Sequence, residues 1–200
     1  MVSQRLAEEE KQRLKAVIAI FDKLFAQEFN TRLLGGAAEP VYIPAGYPYQ
    51  SESNSVADTC DYHRLYFRED YFSSALHESA HWCIAGAERR LKVDFGYWYN
   101  PDGRSQQQQS IFEQAETKPQ ALEWMFSSAC GQSFRISADN LDGDLGASAE
   151  FTRAVLEQVH HWCGDSPMPP RAELLLDALA NHFGLKDYRC SEQYQQAKIA

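Results

Sequence analysis

The segment Tyr71-Phe72-Ser73-Ser74-Ala75-Leu76-His77-Glu78-Ser79-Ala80-His81-Trp82-Cys83-Ile84 carries Phe72, Ala75, Leu76, Ser79, Ala80, Cys83 and Ile84 at spacings of three and four. That periodicity predicts a helix with a buried face from Tyr71 to Arg90. On such a helix residues four apart lie one above the other, so His77 and His81 project from one face and can share a metal ion. Glu78 is adjacent to His77 but rotated off the line of the two histidines, where it can reach a metal-bound water or a substrate as acid or base. The plainer alternative is a pair of core histidines. It would leave two buried imidazoles, among Ala75, Leu76, Ala80, Trp82 and Cys83, each needing a hydrogen-bond partner. The metal reading is preferred.

On either side of this segment, His63 to Phe67 alternates as a short strand, and Val93 to Tyr99, β-branched and aromatic, is expected to be another, ended by the turn Asn100-Pro101-Asp102-Gly103. Gln4 to Leu34 has Leu6, Leu14, Val17, Ile18, Phe21, Leu24 and Phe25 at helical spacing, which predicts an amphipathic N-terminal helix over 4–34, stopped by Gly35-Gly36. The Pro- and Tyr-rich stretch Glu39 to Ser55 is expected to be an ordered loop. Gln106 to Gln109 reads as a solvated helix start. Thr117-x-x-Gln120, with Pro119 in the first turn, resembles a capping box opening a helix to about Cys130. Helices at Ala147 to Cys163 and Pro170 to Phe183, the second closed by Gly184, complete an α+β layout. The expected organisation is a single helix-rich domain over residues 1–200 with a small sheet: the N-terminal helix 4–34, a metal-site core 60–145 and C-terminal helices 147–183.

Two hundred residues suit one core. A formal charge of -9 argues against broad nucleic-acid binding, which needs clustered Lys and Arg, and suits a basic protein partner better. Charges throughout Met1 to Ala26, and the lack of an apolar run long enough to span a membrane, point to the cytoplasm and to no membrane partner. Cys60, Cys83, Cys130, Cys163 and Cys190 are odd in number and widely spaced, so reduced and mostly buried thiols are expected.

Two histidines rarely hold a metal alone, and the next, His160, lies in a different predicted helix. A carboxylate is therefore expected, from Glu113, Glu116 or Glu123. Against the stripe Ala121, Leu122, Met125, Phe126 and Ala129, Glu123 points the opposite way and is expected to be solvated. Glu116, at the expected helix entrance, is the preferred third ligand, with Glu113 one turn earlier as second choice. Two histidines and a carboxylate fit zinc in a peptidase and fit equally the facial triad of a non-haem Fe(II) oxygenase.

The string Tyr66-Phe67-Arg68-Glu69-Asp70-Tyr71-Phe72-Ser73-Ser74-Ala75-Leu76-His77-Glu78-Ser79-Ala80-His81-Trp82 resembles the bacterial elongation factor P hydroxylase family. The likeness continues through Val93-Asp94-Phe95-Gly96-Tyr97-Trp98-Tyr99, Pro101-Asp102-Gly103-Arg104, Lys118-Pro119-Gln120-Ala121-Leu122 and Asp139-Asn140-Leu141, spanning about Phe21 to His182. The resemblance implies an enzyme that hydroxylates a lysine of elongation factor P after that lysine has received a β-lysyl group. It implies one divalent metal, Fe(II) in the active form, held by His77, His81 and a carboxylate, with dioxygen as co-substrate. It also implies a zincin-like metal-binding helix, since the family core is similar to zinc metallopeptidases. Glu78 then orients groups at the site rather than serving as the base of peptide hydrolysis. No signature for 2-oxoglutarate is visible, and the electron donor stays open.

Asp94, Tyr97, Trp98, Tyr99, Asp102 and Arg104 follow the metal helix and are candidates to line a groove for a cationic lysine tail. An ordinary strand, with Tyr97 and Tyr99 facing one side and Trp98 in the core, explains these aromatics at least as well. Asp139, Asp142 and Asp144 fail the spacing of a calcium loop. His160 and His161 suit a helix C-terminus, since adjacent residues point 100° apart. His63 reads as structural, and His182 has no assigned role. Two other functions compete: a zinc peptidase with Glu78 as general base, and a non-catalytic module with a structural metal.

Overall fold

The computed structural model describes residues 2–50, 57–96, 104–138, 147–164, 166–195 and 199. They fall into two compact units, Met1–Tyr97 and Trp98–Ala200, and the fold is helix-rich with a small mixed sheet.

The first unit opens with α1 (Val2–Phe25), followed by β1 (Thr31–Ala37), β2 (Val41–Ile43), β3 (Pro48–Tyr49), β4 (Asp58–Thr59), β5 (His63–Arg68) and α2 (Phe72–Ile84). β5 is the middle strand of a three-stranded sheet, parallel to β1 and antiparallel to β2, while β3 and β4 pair as a separate ribbon. The predicted helix 4–34 is therefore too long. Leu33 and Leu65 are paired and buried in the sheet, and Asn30 takes φ 48° at the corner while its side-chain amide donates to the Asp61 carbonyl. Local apolar spacing could not separate the last helical turn from a strand whose alternation is only four residues deep. The expected loop 39–55 likewise contains β2, where Tyr42 and Ile43 are buried.

The apolar face of α1 (Leu14, Val17, Phe21, Phe25) meets α2 through Trp82, whose ring centroid is 5.1 Å from Phe21, 4.7 Å from Phe25 and 5.6 Å from Phe29. Burying such aromatics contributes about 1.5–3 kcal/mol each, with edge-to-face pairing adding to it. α2 thus has its Ala75, Leu76, Ala80 and Cys83 side in the core, and it stops at Ala85-Gly86 rather than continuing to Arg90.

The expected strand Val93 to Tyr99 is contradicted over its described part. Val93–Gly96 is a tightly turned segment in which Asp94 (φ 47°), Phe95 (φ 55°) and Gly96 (φ 72°) take left-handed backbone conformations. Three interactions outweigh the β propensity of Val93 and Phe95. The Tyr42 amide donates to Asp94 Oδ1 at 2.8 Å, Phe95 stacks on Tyr42 at 4.4 Å, and Arg89 donates to the Phe95 carbonyl at 3.1 Å.

The second unit contains α3 (Gln106–Ala129), α4 (Ala149–Cys163) and α5 (Pro170–Phe183). α3 begins well before the predicted capping box. Ser105 accepts from the Gln108 amide, and the Gln108 side chain accepts from the Ser105 amide, so the box is Ser105-x-x-Gln108 and Pro119 lies inside the helix. Over Pro119–Ser127 every residue of α3 is buried, Glu123 included at 8% exposure, which corrects its expected solvation. An apolar stripe predicts a solvated back only where a helix has one. α5 ends as expected, on Gly184 in the left-handed conformation. The C-terminal segment is fastened by Arg189, which donates to Asp177 at 2.7 Å and Glu173 at 3.1 Å. Tyr194 is buried beside Trp124, 5.2 Å between rings. Of the five thiols, none is in a disulfide, and only Cys83 and Cys130 are buried, fewer than expected.

Candidate metal centre

On α2 the predicted geometry of the two histidines is present: His77 Nε2 and His81 Nε2 are 3.1 Å apart, with ring centroids at 4.7 Å. The opposite side of the helix is locked in place by Trp82 and by Ser79, whose hydroxyl donates to the Ala75 carbonyl at 2.7 Å. The rings are half-buried rather than core. With metal–nitrogen bonds of about 2.1 Å, two nitrogens 3.1 Å apart could both reach one ion.

Glu116 is carried by α3, as its eleventh residue and not at its entrance, and is 2% exposed. A carboxylate that deep needs hydrogen bonds or a cation. Gln120, one turn on, donates to Glu116 Oε2 at 3.4 Å. Glu113 is spoken for elsewhere: its Oε1 accepts from the Ser148 amide at 3.1 Å and its Oε2 from the Ser148 hydroxyl at 2.6 Å, a bidentate tie to the N-cap of α4. Among the described residues, the His, Cys, Asp and Glu side chains that make up a group able to hold a metal ion are His77, His81 and Glu116. Two imidazole nitrogens and one carboxylate oxygen suit iron or zinc.

The other expected site residues have varied placements. Asp94 is half-buried with Oδ1 engaged by the Tyr42 amide, and burial pushes its carboxyl above the ordinary value against the pull of that bond. Arg104 is also buried. Its guanidinium lies 4.0 Å over the Phe112 ring and donates to Gln109 at 2.9 Å and to the Ala138 carbonyl at 3.0 Å. Tyr97, Trp98, Tyr99 and Asp102, like residues 139–144, are outside the described residues. Glu78 is half-buried beside His77. His63 Nδ1 accepts from the Ala45 amide at 3.1 Å, and burial, with Arg90 nearby, lowers its pKa. His160 and His161 do occupy the last turn of α4, the first bonded to the Tyr194 carbonyl and the second to Ser166.

The family model for elongation factor P hydroxylase matches residues 20–194. The chain belongs to the elongation factor P hydroxylase family. A relative in Haemophilus influenzae, named elongation factor P lysine hydroxylase, is 46% identical over 175 residues, which are 88% of this chain and 92% of the relative. The elongation factor P hydroxylase match takes in α2, α3, α4 and α5, and with them His77, His81 and Glu116. No helix among the described residues is long and apolar enough to cross a membrane. What sequence reasoning missed in this family member is Gln120, taken for a cap residue; its spacing of four from Glu116 was the available signal.

Proposed function

We propose that this chain is a metal-dependent hydroxylase acting on a lysine side chain of elongation factor P after extension of that lysine by a β-lysyl group. The observation that carries the reading is the 46% identity, over most of both chains, to a relative named for lysine hydroxylation of that factor. The candidate ligand group His77, His81 and Glu116 supports the metal dependence. In this reading the three side chains bind one divalent ion, Fe(II) in the active form, and leave positions for substrates, as two histidines and a carboxylate do in non-haem oxygenases. The bound ion supplies activation of dioxygen, which by itself attacks a C–H bond too slowly.

The overall change inserts one oxygen atom of dioxygen into a C–H bond of the modified lysine, and the other leaves as water. Two electrons and two protons must come from a separate reductant. Glu78, adjacent to His77, orients the groups that meet at the ion and offers a carboxylate for a proton. The half-buried Asp94 carboxylate is proposed to meet the substrate's cationic tail. The net charge of -9 favours approach of that tail. A translation factor as substrate places the reaction in the cytoplasm.

The test is intact-mass measurement of β-lysylated elongation factor P after incubation with the protein, Fe(II), dioxygen and a reductant, with a His77→Ala variant in parallel. A gain of one oxygen atom with the unaltered protein alone is the expected result. No gain across several metals, with cell extract added as a source of reductant, would overturn it and bring forward the zinc peptidase, for which Glu78→Gln should abolish hydrolysis.

A further inference from the structure

We infer that Gln120 is a positioning residue for the metal site: it holds the Glu116 carboxylate in the orientation a cation requires and ties it to the backbone at Ser137. The inference rests on the proposed ligand set. Gln120 is 1% exposed and one helical turn beyond Glu116 on the same face of α3. Its Oε1 accepts from the Ser137 amide at 3.0 Å, and its Nε2 donates to the Ser137 carbonyl at 2.8 Å and to Glu116 Oε2 at 3.4 Å. The Ser137 N–H can only donate, so it fixes which end of the side-chain amide is oxygen. The nitrogen then has one hydrogen for the Ser137 carbonyl and one for Glu116. A carboxylate held this way keeps its plane while retaining lone pairs for an ion.

The backbone of that turn is short of a tie. Pro119 has no N–H to give the Ala115 carbonyl, and the Thr117 hydroxyl bonds back to the Glu113 carbonyl at 2.9 Å. Both features favour bending of a helix, and Glu116 lies in the turn they affect. The clamp from Gln120 to Ser137 fixes from the side what the helix does not fix along its axis. Partners of this kind typically change metal affinity by about ten- to a hundred-fold when removed.

The experiment compares the full-length protein with Gln120→Met, which removes the amide, and Gln120→Asn, which keeps an amide too short to bridge both acceptors. Co(II) affinity is measured by calorimetry, the Co(II) absorption spectrum is recorded, and the metal-free proteins are melted. Expected are cooperative melting of the variants, Co(II) dissociation constants raised about ten- to a hundred-fold and an altered spectrum. Wild-type affinity and spectrum in either folded variant would overturn the inference, and so would loss of the fold in both, since Gln120 would then be a tie of the 132–138 segment only. Glu116→Gln and His81→Ala are run beside them. If these bind Co(II) like the parent, the ligand set itself is wrong; if they lose it while the Gln120 variants do not, only the role of Gln120 falls.

Discussion

At the scale of the residue, the two acidic side chains one turn apart on α3 do different work. Glu113 spends both oxygens on Ser148, whose hydroxyl in turn accepts from the Phe151 amide at 3.0 Å. Glu113→Ala is therefore expected to destabilise the fold by about 1 kcal/mol, the usual scale of a lost cap interaction. Metal affinity should stay within the error of the parent. Glu116→Gln should do the reverse, abolishing Co(II) binding with a small change in melting temperature. Parallel calorimetry and thermal melts separate the two, and a loss of metal in Glu113→Ala would reverse the assignment. His63 carries a pH dependence. Its folded pKa is lowered below 6.5 by burial first and by Arg90 second, so the unfolded protein binds the proton more readily. Stability is then fully present above 6.5 and is lost as pH falls through the lower folded value. Urea midpoints recorded from about pH 7 to 5 should fall, and His63→Gln should flatten the slope. Asp22 and Asp94, raised above 3.8 mainly by burial, act with the opposite sign at lower pH, stability falling as pH rises through their window.

At the scale of the element, β1 ends in a distortion that the glycine pair makes possible. The register with β5 shifts between Leu34 and Ala37. A Cβ on Gly35 would stand 2.7 Å from Asp70 Oδ1 and 2.8 Å from the Phe67 ring, and Gly36 takes φ 80° while its amide donates to the Glu69 carbonyl. Gly35→Ala should cost about 1–3 kcal/mol, as an overpacked core does, because Phe67 is fully buried and has no room to yield. A urea midpoint equal to the parent would show that the strand end relaxes freely. Glu69 and Asp70 lead straight into α2, so this corner sets where the histidine helix starts. The turned segment Val93–Gly96 is fastened to β2 by the Asp94 carboxylate. With Asp94→Ala, the Tyr42 amide loses its acceptor and a left-handed position loses a residue type that tolerates it.

At the scale of the whole molecule, each unit has its own apolar core, around Trp82 and Phe21 in the first and around Trp124, Leu175 and Leu179 in the second. Both cores are built of apolar side chains, so a metal here should add stability by linkage rather than create the fold. A metal at about a hundred times its dissociation constant adds about 2.7 kcal/mol. Chelation of the metal-loaded protein should lower its melting temperature while helical circular dichroism at room temperature persists. His77→Ala should melt at one temperature with or without chelator; a chelator effect of full size in that variant would place the ion elsewhere.

Features that depend on near neighbours in the polypeptide are legible in the residues alone. His77 and His81 share a helix face because their spacing of four requires it, α5 ends at Gly184 because a left-handed cap favours glycine, and long uncommon strings identify the family. Features that depend on residues distant in sequence are settled only when the chain folds. Thr31 to Ala37 became a strand because β5 was there to pair with it, and Val93–Gly96 a turn because Tyr42 offered an amide and a ring. Ser148 decided the role of Glu113, and burial on every side of Pro119–Ser127 decided that of Glu123. A hydrogen-bond acceptor can be recognised in a sequence as a residue type. Which donor occupies it is set by folding, when burial makes every polar group find a partner.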